Sequence, residues 1–300
     1  MAALLLAYIT LSTSALAVAC MITLFTPQFG SIIAEFTTYG KTNEQRHKNV
    51  TKWFAVPKRW FRHFYLLAVL TVSATMFMGY EFSTKARKSE DFVPHLRALT
   101  NKSPQISFNM GMTVLGLILF HVTRRAIETL FISIYSDTSM NIFHYLLGLV
   151  HYAILPLTIA CETLGFASKS VYPLNISVDG WTQMQLVGLG LFFYANFEQF
   201  KCARYLASCR TAPKGGSPSS AHSIPYGGWF DVVSCPHFLF ECIIYGSLLL
   251  ILPSGVAAFK YLTGFVLVNQ VFAALITHRW YRGHFKDYPP QRRAILPYIL

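Results

Sequence analysis

The chain has 300 residues, of which 53% are hydrophobic and only 13% are charged, against about 25% charged residues in an ordinary soluble domain. A mean hydropathy of +0.41 over the whole length excludes a disordered chain and argues against a water-soluble one. The net charge of +12 does not indicate nucleic-acid binding, because Lys and Arg lie in short segments between apolar runs, where they orient a membrane protein.

Apolar runs of the kind that cross a bilayer predict seven transmembrane helices. In chain order they are Ala2–Phe25, His63–Tyr80, Met110–Ser133, Ile142–Phe166, Trp181–Phe200, Leu239–Leu252 and Ala257–Thr277. The first run is longer than a secretory signal and has no basic segment before it, so we expect a retained span. The predicted fold class is therefore all-α, a polytopic membrane protein with a single membrane-embedded domain over residues 1–300.

The distribution of basic residues predicts the orientation. The segment 27–60, the loop after the fifth span and the tail after the seventh hold 15 of the 25 Lys and Arg residues. With seven spans these three segments face the same side, which the positive-inside rule makes cytosolic. We therefore expect a lumenal N-terminus and a cytosolic C-terminus, with the glycosylation sequons at Asn101 and Asn175 in opposite-side loops.

One stripe of ionisable residues stands out on the third predicted span. His121, Arg124, Arg125 and Glu128 are spaced so that they share one helical face. A charge within a bilayer costs on the order of 2.5 kcal/mol or more, so such residues are site candidates. The alternative is a self-contained ion pair between Glu128 and one arginine near the membrane boundary.

Three further sets gather near predicted span ends. His237 and Glu241 follow a turn with two adjacent glycines, which suits either close approach to a ligand or an interfacial turn. Two further sets, after the fifth span and around the end of the seventh, are rich in basic residues. They are candidates for a site, but setting the topology or anchoring the helix ends explains them equally well. These residues are Lys201, Arg204, Ser208, Arg210, His278, Tyr281 and Arg282.

Several chemistries have no motif in this chain. The six cysteines form no CxxC pair, and HExxH, GxxxxGK[ST] and GxSxG are absent, as is a GxGxxG after a strand pattern. We therefore expect no metal ion, and any nucleotide would be held without a Rossmann domain or P-loop.

Motifs along nearly the whole chain resemble the steroid 5α-reductase family, and within it the polyprenol reductase branch. They are Tyr39–Thr42, Val56–Tyr65, His121–Ser133, Gln199–Cys202, Ile224–Glu241 and His278–Pro297. The resemblance implies a seven-helix, multi-pass protein of the endoplasmic reticulum membrane, with its catalytic region at about residues 120–300. It also implies NADPH as cofactor and saturation of the α-isoprene unit of a polyprenyl lipid, which supplies dolichol for protein N-glycosylation.

The resemblance also nominates cofactor residues. The positions that match the family's NADPH contacts are Gln199, Arg210, His222, His237, Glu241 and Tyr281, to which we add Arg125 and Glu128. Two departures bear on function: Ser223 stands where relatives commonly have Arg, and a Gln-Glu pair of the steroid enzymes is missing near Lys58. The first puts one phosphate contact in doubt, and the second argues against a 3-keto steroid substrate.

Chemistry favours an aldehyde over an alcohol as the lipid that is reduced. Hydride adds to the β-carbon of a conjugated C=C–C=O system because an enolate can be stabilised, whereas an allylic alcohol offers no such sink. We therefore expect polyprenal to be reduced to dolichal. Candidates for polarising the carbonyl are Lys58, His63 and His121.

Three alternatives remain open from the sequence. One is a steroid 5α-reductase, and another is an isoprenylcysteine-type methyltransferase, whose RHPxYxxE element resembles the segment from Cys235 to Glu241. The third is a non-catalytic lipid-binding scaffold. Isoprenoid chain length, the proton donor and oligomeric state do not follow from the sequence.

Overall fold

A computed structural model describes residues 55–84, 104–135, 138–166, 172–211 and 223–300. The described part is mainly helical. Its long helices are α1 (Arg62–Thr84), α2 (Phe108–Ile127), α3 (Ile142–Ala160), α4 (Gln183–Thr211), α5 (Pro236–Ile251) and α6 (Ala257–His284). The predicted first span, the 39–42 motif, Asn101 and His222 lie outside the described residues.

Six of the predicted spans coincide with these six helices. Four of the helices, α1, α2, α3 and α6, are long and apolar enough to cross a membrane, which confirms a polytopic, mainly helical membrane protein. Helix α5 is apolar but has only 16 residues, and α4 carries charged residues in its second half. The number of spans and the orientation of the termini therefore remain predictions.

Two span boundaries differ from the sequence prediction. Helix α3 ends at Ala160 rather than Phe166, because the chain turns there and Thr163 forms a parallel bridge with Ile106. Helix α4 continues past Phe200 to Thr211, since its last three turns are polar and hydropathy alone does not detect them. A short turn over residues 252–256 joins α5 to α6.

A small β-sheet modifies the predicted all-α class. Strand β1 (Ala55–Pro57) pairs antiparallel with β2 (Ser139–Asn141). Strands of three residues are too short to show an alternating pattern, so the sequence could not reveal them. The pairing continues through a hydrogen bond from the Lys58 backbone N to the Thr138 carbonyl at 3.0 Å, which fixes Lys58 beside the start of α3.

One end of the helix bundle collects the polar termini. The N-terminal ends of α1, α3 and α5 meet the C-terminal ends of α2, α4 and α6 around a common cavity. Among the described residues, the opposite end, formed by 81–84, 104–107, 161–166, 172–182 and 252–260, contains a single basic residue, Lys260. The charge of the described bundle is therefore strongly asymmetric.

Large apolar side chains cover the outside of the bundle as well as its core. Leu70, Phe77 and Phe131 are 66%, 64% and 81% exposed, which suits contact with lipid rather than water. Inside, α4 and α5 pack closely at Gly188, where a Cβ atom would lie 2.8 Å from the Ser247 carbonyl oxygen.

Replacing Gly188 should therefore destabilise the protein. We expect Gly188→Leu to cost about 2 kcal/mol through overpacking, measured as a lower thermal midpoint in detergent. Gly190→Leu is the matched control, because a Cβ at Gly190 meets nothing within 4 Å. Equal midpoints for the two variants would contradict the close approach of α4 and α5.

Candidate active site

A fully buried carboxylate organises the polar interior. Glu128, at 0% exposure, accepts hydrogen bonds from Arg124 through Oε1 and from Arg125 through Oε2. Both arginines are more than four-fifths buried at the side chain. The stripe seen in the sequence is thus an ion triad in which one acid holds two guanidinium groups.

Arg124 connects the triad to α4 and α5. Its side chain donates to Asn196 Oδ1 at 2.9 Å and to Gln199 Oε1. Gln199 in turn donates to the Glu241 carboxylate and, at 3.0 Å, to the His237 carbonyl. A chain of polar contacts therefore joins three helices through the centre of the bundle.

Glu241 is the second buried acid of this network. It is 6% exposed, and its Oε1 lies 3.5 Å from His121 Nε2. The other ring nitrogen of His121, Nδ1, lies 2.9 Å from Asn196 Oδ1. His121 therefore sits behind Glu241 and orients it.

Arg125 links the triad to α1. Its Nε and Nη2 donate to the Tyr65 hydroxyl at 3.1 and 3.0 Å. Immediately after Glu128, a π-helical turn (Glu128–Ile132) closes with a hydrogen bond from Ser133 N to the Glu128 carbonyl at 2.7 Å. Such turns widen a helix and often occur at functional sites, and this one brings Thr129 and Ser133 to a cavity wall.

Two adjacent cavities meet at this network. The larger cavity has a volume of about 300 Å³ and opens at the polar end of the bundle. The smaller cavity has a volume of about 120 Å³ and extends into the bundle. Their shared wall consists of Phe61, Arg125, His144, His237 and Phe238. The two cavities are thus neighbours, separated by no more than these side chains.

The two linings differ in chemistry. The larger cavity has three basic side chains, Lys58, Arg125 and Arg210, together with hydroxyl groups such as Thr129 and Tyr281. The smaller combines a few aromatic and aliphatic residues with a larger number of polar residues. Those polar residues are Tyr65, Arg125, His144, His151, Tyr152, Gln199, His237, Glu241, Tyr245, Asn269 and Gln270.

The segment after α6 fixes the N-terminal end of α5. Backbone hydrogen bonds run from Ser234 N to the Arg293 carbonyl at 2.8 Å and from Cys235 N to the Ala294 carbonyl at 3.2 Å. The Ser234 hydroxyl also contacts His278 and Tyr288. Burial raises the pKa of Tyr288 above its usual value, so this contact involves a protonated phenol at neutral pH.

The chain is similar to known proteins along nearly its whole length. The model of the 3-oxo-5-alpha-steroid 4-dehydrogenase family matches residues 109–300. A polyprenal reductase of Caenorhabditis elegans is 41% identical over 297 residues, covering 98% of this chain and 96% of the relative. Polyprenal reductases of Danio rerio and Arabidopsis thaliana are 33% and 31% identical, each over 90% of this chain and 88% of their own length.

This chain belongs to the steroid 5α-reductase family. The resemblance inferred from the sequence motifs is thereby confirmed, and the protein is an oxidoreductase acting on a carbon–carbon bond. The family match covers all the described residues from α2 onward that form the ion triad and the Gln199–Glu241 contact.

The structure brings most of the nominated residues together. Lys58, Arg125, Arg210, His237 and Tyr281 line the larger cavity, while Gln199 and Glu241 line the smaller one, together with Arg125 and His237. Ser223, at the position where the resemblance implies an arginine, also lines the larger cavity.

Three nominated residues lie elsewhere among the described positions. Glu128 is behind Arg125, and His121 is behind Glu241. His63 Nδ1 lies 3.0 Å from the Tyr145 hydroxyl, and His63 contributes to the lining of neither cavity. The proposed roles of these residues as cofactor or catalytic groups remain predictions.

Sequence reasoning missed Tyr65, Tyr152 and Asn196. Tyr65 stood within a quoted motif, but an aromatic residue in an apolar run carries no sign of a polar role. Asn196 was hidden inside the fifth predicted span, although an amide within such a run is itself a signal that a partner exists.

Removing the charge of Glu128 should strongly destabilise the reductase. Glu128→Gln leaves two buried guanidinium groups without a counter-ion, for which we expect a loss of about 3 kcal/mol in unfolding free energy, measured by denaturant titration in detergent. Glu198→Gln is the control, because its partner Lys201, at 2.9 Å, is more than half exposed at the side chain, so the change leaves no buried cation without a counter-ion and should cost less. Similar losses in both variants would contradict the central role of the triad.

Proposed function

We propose that this reductase uses NADPH to saturate the α-isoprene double bond of polyprenal, giving dolichal on the route to dolichol for protein N-glycosylation. The supporting observation is that two adjacent cavities share part of their lining, the larger with three basic side chains and the smaller with aromatic side chains around Glu241. Its relatives across animals and a plant carry the name polyprenal reductase, which supplies the substrate class.

The larger cavity fits a cofactor that bears phosphates. Arg210 and Lys58 can pair with phosphate oxygens, since charge-assisted hydrogen bonds to such oxygens are strong. Thr129 and Tyr281 add hydroxyl groups for ribose or amide contacts. When bound there, NADPH supplies the hydride, and residues of the shared wall hold its reactive end against the smaller cavity.

The smaller cavity fits the head of an isoprenoid aldehyde. Phe64, Leu147 and Phe265 offer an apolar lining, and a bundle interior excludes water, which strengthens every electrostatic contact with the developing charge. Glu241, contacted by Gln199 and His121, places a hydrogen-bond acceptor in the lining of the smaller cavity. We place the larger cavity on the cytosolic side of the endoplasmic reticulum membrane, in accord with the basic residues at that end of the bundle.

Substrate specificity tests this proposal directly. Purified protein with NADPH should consume polyprenal rapidly while leaving polyprenol and a 3-oxo-Δ4-steroid unreduced, because the alcohol cannot form an enolate and the Gln-Glu pair implied for steroid recognition is missing near Lys58. Lipid products are measured by mass spectrometry in the absence of any alcohol dehydrogenase. Efficient turnover of polyprenol under these conditions would contradict the aldehyde mechanism.

Cofactor binding at the larger cavity can be tested separately. We expect Arg210→Gln to raise the dissociation constant for NADPH about tenfold, because it removes one cation facing the phosphates. Binding is measured by quenching of protein fluorescence, with Arg282→Gln as control since Arg282 is exposed and lines neither cavity. Unchanged affinity in Arg210→Gln would place the phosphates elsewhere.

A further inference from the structure

Tyr65 occupies an unusual position for an aromatic residue of a membrane helix. It lies in the first turn of α1, is 3% exposed and lines the smaller cavity together with Glu241 and His237. Its phenol oxygen is therefore a polar group in the lining of the smaller cavity.

The hydrogen bonds of Tyr65 leave its proton available. Arg125 approaches the phenol oxygen with Nε and Nη2 at 3.1 and 3.0 Å, and a guanidinium can only donate. Tyr65 must therefore accept from Arg125. The Tyr152 hydroxyl is a second partner, and it can donate as well as accept. With Tyr152 donating, the Tyr65 proton is left for a partner in the smaller cavity, which Tyr65 lines.

The residues that the sequence suggested for polarising the substrate carbonyl are less well placed than Tyr65. His63 faces Tyr145 outside both linings, and His121 is separated from the cavity by Glu241. Lys58 lines the larger cavity but not the smaller one. A donor for a group bound in the smaller cavity must come from that cavity's own lining.

We propose that Tyr65 is a catalytic residue that donates a hydrogen bond to the aldehyde oxygen of the substrate, with Arg125 as its positioning residue. This inference rests on the proposed function. The two guanidinium donors on the phenol oxygen strengthen its O–H as a donor, because they stabilise negative charge on that oxygen. Arg125 is itself held by Glu128, so the donor is fixed before the reaction begins.

Electrons and protons balance in the reduction of the aldehyde. Hydride forms a C–H bond at the β-carbon, the C=C pair moves to join the α-carbon and the carbonyl carbon, and the C=O pair moves to oxygen. The Tyr65 O–H stabilises that oxyanion by hydrogen bonding. The α-carbon then takes a proton derived from water, the C=O bond re-forms, and NADPH has been oxidised to NADP⁺ with one proton consumed.

A spectroscopic experiment tests this contact without turnover. An isoprenyl enal labelled with ¹³C at the carbonyl is bound to the full-length protein in the presence of NADP⁺, and its infrared carbonyl stretch is recorded. We expect a band shifted to lower frequency in the wild type and in Tyr145→Phe, but not in Tyr65→Phe. The Tyr145 control removes a phenol from the same region that lines neither cavity. An unchanged band in Tyr65→Phe, or a band lost instead in Lys58→Met, would overturn the proposal.

Kinetics provide an independent measurement. Loss of one oxyanion donor in Tyr65→Phe should lower kcat about 100-fold while the NADPH dissociation constant stays within twofold.

Replacing Tyr65 by 3-fluorotyrosine, a more acidic phenol that keeps the hydroxyl, should move the alkaline limb of the pH–rate profile to lower pH even if Tyr65→Phe folds poorly. A kcat of folded Tyr65→Phe within threefold of wild type, or an unmoved limb with fluorotyrosine, contradicts the role. Failure of the wild type to reduce any enal would instead refute the proposed function itself.

Discussion

The structure depends on one buried carboxylate that holds two arginines. Glu128 could not remain charged in an apolar bundle without partners, and neither could Arg124 and Arg125 without it. Each arginine then has donors left over, and these reach α4 through Asn196 and Gln199 and α1 through Tyr65. The charges that would be most costly in a membrane therefore fix the relative positions of the helices around the site.

This arrangement also explains why the two cavities meet where they do. Arg125 lies in both linings, so the same guanidinium faces the larger cavity and orients the Tyr65 phenol in the smaller one. Hydride transfer requires cofactor and substrate to touch within a dry site. A shared wall built on a rigid ion triad meets that requirement better than flexible loops would.

The sequence predicted the helices well and the site in part. Apolar runs located the six described helices, and the spacing of Arg124, Arg125 and Glu128 predicted a common face. Partners 60 or more residues apart, such as Tyr65 with Arg125 or Asn196 with His121, could not be predicted, because pairing across helices depends on their rotation and depth. His63 illustrates the converse, since an ionisable residue beside a motif turned toward Tyr145 instead of a cavity.

The pairing of residues 293 and 294 with the start of α5 has a consequence for biogenesis. Ser234 and Cys235 receive their backbone partners from a part of the chain that is synthesised after α6. The N-terminal turn of α5 can therefore be fixed only after α6 and the segment that follows it have been synthesised. Synthesis of the described helices and completion of the larger cavity's lining are therefore separate events in time, and a chain interrupted before residue 293 would contain α5 but leave Ser234, which lines that cavity, without its backbone partner.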